Sequence, residues 1–222
     1  MKSLVFDSST VISLATNDLL WTIKPLKDAF GGSFFIPESV HEELVDNPLN
    51  SRRFKLEAIM VQRLIKENFL QIQERMKVDS LLDSINSIFF ANGAAIKVVS
   101  KAEVEALALA LKIEASAYVV DERTMRLLVE DPEKLRLILE GKLHTKIKMN
   151  EKGLREFKQY CRSLKILRSS ELMMVALEKG VLDKFLDKEV SKRELADALL
   201  WGLRLRGCAI STEEIEDLEE MA

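Results

Sequence analysis

The sequence predicts an α/β fold with a mostly parallel sheet, and three observations carry that expectation. Short apolar runs at residues 4–6, 34–36 and 117–120 each stop at an acid or a proline. Stretches with helical spacing separate these runs. Tight hairpin signals are absent, so the strands are joined through helices, as parallel neighbours must be.

The first run, Leu4-Val5-Phe6, ends at Asp7, and Ser8, Ser9 and Thr10 follow. An apolar run bounded by polar residues reads as a buried strand. Either serine is placed to cap a short helix over residues 10–15. Leu19, Leu20, Ile23, Leu26 and Phe30 recur at three- and four-residue steps, giving a second helix that Gly31-Gly32 ends. Residues 33–36 form a second strand. Pro37 then suits the first turn of a helix carrying His41, Glu42 and Glu43. Residues 46–52 read as a loop, 54–69 as a helix, and Leu70-Gln71-Ile72-Gln73 as a more exposed third strand. Residues 79–90 read as a helix stopped by Asn92-Gly93. Ser100 opens the most helix-prone stretch, SKAEVEALALALKIEA, and with Glu103 three residues later it fits a capping box. The strand at 117–120 ends at Asp121-Glu122, and another helix starts at Arg123. Beyond about residue 150 helical patterns dominate, with Gly180 and Gly207 as stops. The expected division is therefore an α/β domain at 1–147 and a helical C-terminal subdomain at 148–222.

Bulk properties narrow the function. A chain of 222 residues, 47% apolar and 31% charged, is ordinary for a soluble globular protein. No apolar run approaches the roughly 20 residues that span a bilayer, and no basic leader precedes a cleavage site, so a cytoplasmic location without membrane partners is expected. Two distant cysteines, Cys161 and Cys208, read as free thiols. Two isolated histidines, His41 and His144, argue against a Cys/His zinc site. The net charge of −3 excludes a protein that coats nucleic acid by charge alone, though not an enzyme that meets it at one local patch.

The acids fall where sites form in open α/β sheets, at the C-terminal ends of strands. Asp7 follows the first strand directly. Glu43 lies in the helix after the second. Glu103 sits in the first turn of the helix before the 117–120 strand, and Asp121 and Glu122 follow that strand. Clustered carboxylates repel one another and raise each other's pKa. A hard divalent cation, Mg²⁺ or Mn²⁺, turns such a cluster favourable. Against these stand plainer readings: Asp7 and Glu103 as helix caps, Glu105 as a surface residue, and Arg123 and Arg126 as surface or salt-bridge residues.

In order along the chain, Val5-Phe6-Asp7-Ser8-Ser9-Thr10-Val11, Ile36-Pro37-Glu38-Ser39-Val40-His41-Glu42-Glu43-Leu44, Ala102-Glu103-Val104-Glu105-Ala106-Leu107-Ala108-Leu109-Ala110 and Val119-Val120-Asp121-Glu122-Arg123 resemble the four motifs of the PIN-domain nucleases. The match spans about residues 1–130. It implies a three-layer α/β/α fold with a mostly parallel central sheet, followed here by C-terminal helices. It also implies a metal-dependent endoribonuclease with catalytic acids Asp7, Glu43, Glu103 and Asp121. Asp7, Glu103 and Asp121 would be the nearest ligands of Mg²⁺ or Mn²⁺. Ser9 and Thr10 would position a phosphate or a metal-bound water, and Arg123 and Arg126 would contact phosphate. Glu105 and Glu122 stand as neighbours interchangeable with Glu103 and Asp121. The expected partners are an RNA substrate, a second copy of the chain, and a small antitoxin if the protein is the toxin of a toxin–antitoxin pair. A non-catalytic PIN-like RNA- or protein-binding scaffold and a structure-specific DNA nuclease are the competing readings.

Overall fold

A computed structural model describes residues 2–220. The chain opens with β1 (Ser3–Phe6), every residue of which is buried, and passes at once into α1 (Ser8–Thr16). After α2 (Ile23–Phe30), Gly31 takes a left-handed φ of 64° that a side chain would strain, and this turns the chain into β2 (Ser33–Pro37). Pro37 hands over to α3 (Glu38–His41), a π-helical turn at Glu42–Asp46 and α4 (Asn47–Leu49). Then come α5 (Lys55–Lys66), β3 (Gln71–Gln73) and α6 (Asp79–Asn86).

The expected helix at 79–90 stops four residues early. Residues 89–91 form β4 (Phe89–Ala91), which turns back into β5 (Ala94–Ala95) as an antiparallel hairpin. Asn92 and Gly93, with φ of 51° and 84°, form that turn. Asn-Gly is the strongest short hairpin signal because both central residues need positive φ. The expectation that tight hairpins are absent is corrected by this pair. The chain continues through α7 (Lys101–Lys112), β6 (Ala117–Val119), α8 (Arg123–Glu130), α9 (Pro132–Leu143) and β7 (Ile147–Met149). β7 pairs antiparallel with β4 and completes a three-stranded sheet.

The last part holds α10 (Glu151–Tyr160), β8 (Ile166–Leu167), α11 (Ser169–Glu178), α12 (Lys192–Leu205) and α13 (Thr212–Glu219). The boundary expected at 147/148 falls inside β7, and β8 supplies a strand to the main sheet. That sheet has the order β3-β2-β1-β6-β8 with all neighbours parallel, helices flank it, and the three-layer α/β/α class read from the sequence is what the chain forms. Val5 lies opposite Phe35 on one side and Tyr118 on the other, so β1 is central and its C-terminal end meets those of β2 and β6. Helix α7 packs on all three of these strands. Its alanines at 102, 106 and 110 let it approach closely enough to be buried almost all round. Phe6 and Phe34 pack with ring centroids 5.1 Å apart in the core beneath.

The C-terminal helices are clamped by Arg168, which is only 8% exposed. Its Nε donates to Glu171 at 2.7 Å, and its Nη1 donates to Glu214 at 2.8 Å and to the Ala209 carbonyl at 3.3 Å. Cys161 and Cys208 are both free and buried.

Candidate functional site

Three helix N-termini converge where β1 and β6 end, and each is capped by an acid from the predicted set. Asp7 is the N-cap of α1: its Oδ2 accepts from the Ser9 amide at 2.9 Å and the Ser9 hydroxyl at 2.5 Å. Glu103 is the third residue of α7, and its Oε2 accepts from the Ser100 amide at 2.6 Å in the expected capping box. Glu122 is the N-cap of α8, and its Oε2 accepts from the Met125 amide at 2.7 Å. Each carboxylate thus commits one oxygen to backbone or cap donors. The second oxygens of Glu103 and Glu122 have no protein donor among the described residues, and Asp7 Oδ1 has only a long contact from the Tyr118 hydroxyl at 3.5 Å. The positive ends of three helix dipoles help hold the negative charge there. The capping and site readings of these residues are therefore one arrangement.

The charges feel one another. Burial raises the Asp7 pKa to about 6 against the Ser9 hydrogen bonds, and the carboxylates of Glu43 and Glu122 push it the same way. Burial also raises Glu103, helped by the charges of Asp7 and Glu122 and opposed by its Ser100 hydrogen bonds. Glu43 is raised by desolvation first and by the Glu103 charge, with the Ser8 hydroxyl opposing. Glu43 sits at the exposed rim, on the π-helical turn, a distortion frequent at functional sites. The cup thus runs from a buried Asp7 to a solvent-facing Glu43.

Asp121 is committed elsewhere. It is fully buried. Its Oδ1 accepts from the Ser169 amide at 2.7 Å and the Thr10 hydroxyl at 3.5 Å, and its Oδ2 accepts from the Ser169 hydroxyl at 2.6 Å. Both oxygens are spent on the N-terminus of α11 and on α1. Of the adjacent pair, Glu122 is the one whose charge reaches Asp7 and Glu103. Glu105, which the sequence suggested was a surface residue, is fully buried on α7. Its Oε1 accepts from the Met76 amide at 2.8 Å, and its charge is felt by Arg75 rather than by the cup.

Ser9 has a structural task instead of the expected phosphate contact. Besides donating to Asp7, its hydroxyl accepts from the amides of Asp121 at 3.1 Å and Glu122 at 3.2 Å. One oxygen therefore ties the end of β1 to the β6–α8 junction. Thr10 is buried and turned to Asp121. Arg123 is exposed at the start of α8 beside Glu122. Arg126 pairs with Glu130 at 3.2 Å and donates to the Ala209 carbonyl at 3.2 Å, so it anchors the 208–210 segment rather than standing free for phosphate. Tyr118 was not foreseen. It is fully buried beneath the cup, donates toward Asp7 and the Glu103 carbonyl, and is held well above the ordinary tyrosine pKa by burial and by the charges of Asp7 and Glu103. A polar-tipped aromatic in an aliphatic strand was the available signal.

The donors are all hard oxygens, suited to Mg²⁺ or Mn²⁺. Among the described residues no three Asp, Glu, His or Cys side chains stand close enough to ligate one ion together. The arrangement fits a hydrated cation held by one or two of the free oxygens, the usual mode for Mg²⁺, and does not form a closed protein cage.

A parallel α/β/α sheet with an acid cup at its C-terminal edge places a candidate site where open α/β folds bind ligands. A family model for the PIN domain matches residues 3–156, and the chain belongs to the PIN-domain family. Searches of the curated proteins and of the solved structures returned no match. PIN domains are generally nucleases that use divalent metal ions and bind nucleic acid. No helix among the described residues is long and apolar enough to cross a membrane.

Proposed function

We propose that the protein is a metal-dependent endoribonuclease working in the cytoplasm, with Asp7, Glu43, Glu103 and Glu122 as its catalytic acids. The observation that carries this is the set of second oxygens on Asp7, Glu103 and Glu122, left without strong donors at one sheet edge while their charges repel. One or two of Asp7, Glu103 and Glu122 would hold a hydrated Mg²⁺ or Mn²⁺ directly, the remaining acids acting through its waters, with Glu43 at the rim orienting water. When bound, the ion would lower the pKa of a water and offset charge growing on the phosphate. The chain's own part is to keep the acids fixed: Ser9 locks Asp7, Ser100 locks Glu103, and the Met125 amide locks Glu122. Asp121 then acts as a positioning residue, seating α11 and the β6–α8 junction. The narrower reading, a toxin neutralised by a small antitoxin and assembled as a homodimer, rests on the same activity.

The test is cleavage of labelled single-stranded RNA and DNA of one sequence by the purified protein in Mn²⁺. RNA cleavage is expected, with Glu103→Gln losing at least about a hundredfold of the rate, the scale of several kcal/mol of lost transition-state stabilisation. No cleavage of either strand, or cleavage unaffected by Glu103→Gln, overturns the proposal. Equal cleavage of DNA replaces RNA as the specific substrate.

A further inference from the structure

The chain carries a net charge of −3, yet residues 142–165 hold eight lysines and arginines against two glutamates. All eight cations are exposed. They lie on β7, α10 and their flanks, away from the acid cup in sequence. Three of them, Lys146, Lys148 and Lys152, line two open clefts. One, of about 580 Å³, lies over the small antiparallel sheet and is lined by Phe90, the Asn92-Gly93 turn, Lys146 and Lys148. The other, of about 420 Å³, lies between α6 and α10 and is lined by Lys152, Glu156, Phe157 and Tyr160. Asn150 lines both, so the two clefts adjoin, and together they are called the furrow below. Lys146 and Lys148 have no carboxylate within ion-pair distance among the described residues, and Lys152 has only Glu156 at 3.9 Å on the exposed helix face. Tyr160 is 50% exposed and Phe90 is half-buried, so aromatic surface is open at both ends.

We infer that this furrow is a track for single-stranded nucleic acid, holding the substrate of the proposed nuclease outside the acid cup, and the inference rests on that reading. A row of lysines with interleaved aromatic faces is the pairing that binds single strands: cations follow the phosphates and unpaired bases stack on the rings. A duplex would offer its phosphates but not its base faces. The acid cup repels a polyanion in the absence of a cation, so substrate capture needs a separate cationic surface. Seven residues lie between Ala95 of the hairpin and Glu103 of the cup, which caps the distance between these two at roughly 30 Å.

The experiment is fluorescence anisotropy of a labelled single-stranded RNA with the full chain in EDTA, over a range of salt, so that no cleavage intervenes. Wild type is expected to bind with a salt-dependent Kd. Lys146→Ala/Lys148→Ala/Lys152→Ala is expected to make the log–log salt slope shallower by about two, from about 0.7 per lost phosphate contact on single strands. Tyr160→Ala is expected to weaken binding about tenfold at fixed slope. Unchanged melting temperatures would show that these surface variants fold. Three results overturn the inference: wild type that binds no RNA in EDTA; a triple variant with wild-type slope and affinity; or lysine-dependent binding to phosphatidylserine vesicles with RNA binding unmoved. Duplex RNA bound as tightly as single strand, with Tyr160→Ala silent, overturns the single-strand assignment. Binding that persists in a protein that cleaves nothing would count against the nuclease reading and leave the furrow standing.

Discussion

Asp7→Asn is expected to gain stability over the wild type as pH rises, in EDTA, while losing RNA cleavage. Asp7 is buried and its pKa is raised from 3.8 to about 6, so the folded state binds a proton that the unfolded state has released between those values. The sign follows from linkage: stability tied to the protonated acid is fully present below about pH 4 and is lost as pH climbs through 6. Two pKa units correspond to about 3 kcal/mol. Asparagine caps a helix as well as aspartate does and keeps an acceptor for Ser9. The difference between variant and wild type should therefore move in the variant's favour by about 3 kcal/mol between pH 4 and pH 7.5. For a chain of this size that is about 6–12 °C of melting temperature. Thermal unfolding across that pH range checks it. A difference that stays flat with pH would mean that Asp7 titrates normally and is not crowded by Glu43 and Glu122. Storing instability in an acid cup that a cation can relieve is the stability–activity trade expected of a functional site.

Asp121→Ala is expected to cost about 3–5 kcal/mol of folding stability, because it strands the Ser169 amide and hydroxyl at the buried start of α11. Glu122→Gln should cost less than about 1 kcal/mol, since the amide oxygen still caps α8, yet it should remove most of the cleavage activity. Chemical denaturation and RNA cleavage on the two variants separate the roles of these adjacent acids. If Asp121→Ala keeps wild-type stability and loses only activity, the roles assigned to the pair are reversed.

Much of this was legible in the sequence for physical reasons. An apolar run that ends at an acid followed by hydroxyl residues marks a strand delivering a carboxylate to a helix start, and Asp7 with Ser9 is such a case, although the cap is Asp7 itself rather than either serine. Ser100 and Glu103 declared their capping box by spacing alone. What was not legible depended on distant partners. Which of Asp121 and Glu122 enters the cup is decided by Ser169, 48 residues further on. Glu105 looked exposed because α7 carries charge at both ends of its first turns, but the helix is enclosed by the sheet, α3 and α6. The Asn92-Gly93 pair was read as a helix stop because the strands it joins are only three and two residues long, too short for an alternating pattern. β8, also two residues long, shows no alternating pattern against the helices around it.

The central claim, that a hydrated divalent cation binds in the cup through one or two of the free carboxylate oxygens, Asp7 among them, is tested most directly by thermal unfolding of the wild type and Asp7→Asn during titration with Mn²⁺. Selective binding to the folded state raises the melting temperature with ion concentration. The wild type should rise by several degrees at millimolar Mn²⁺ and Asp7→Asn should not move. A wild type indifferent to Mn²⁺, or a variant that rises just as far, would contradict the claim.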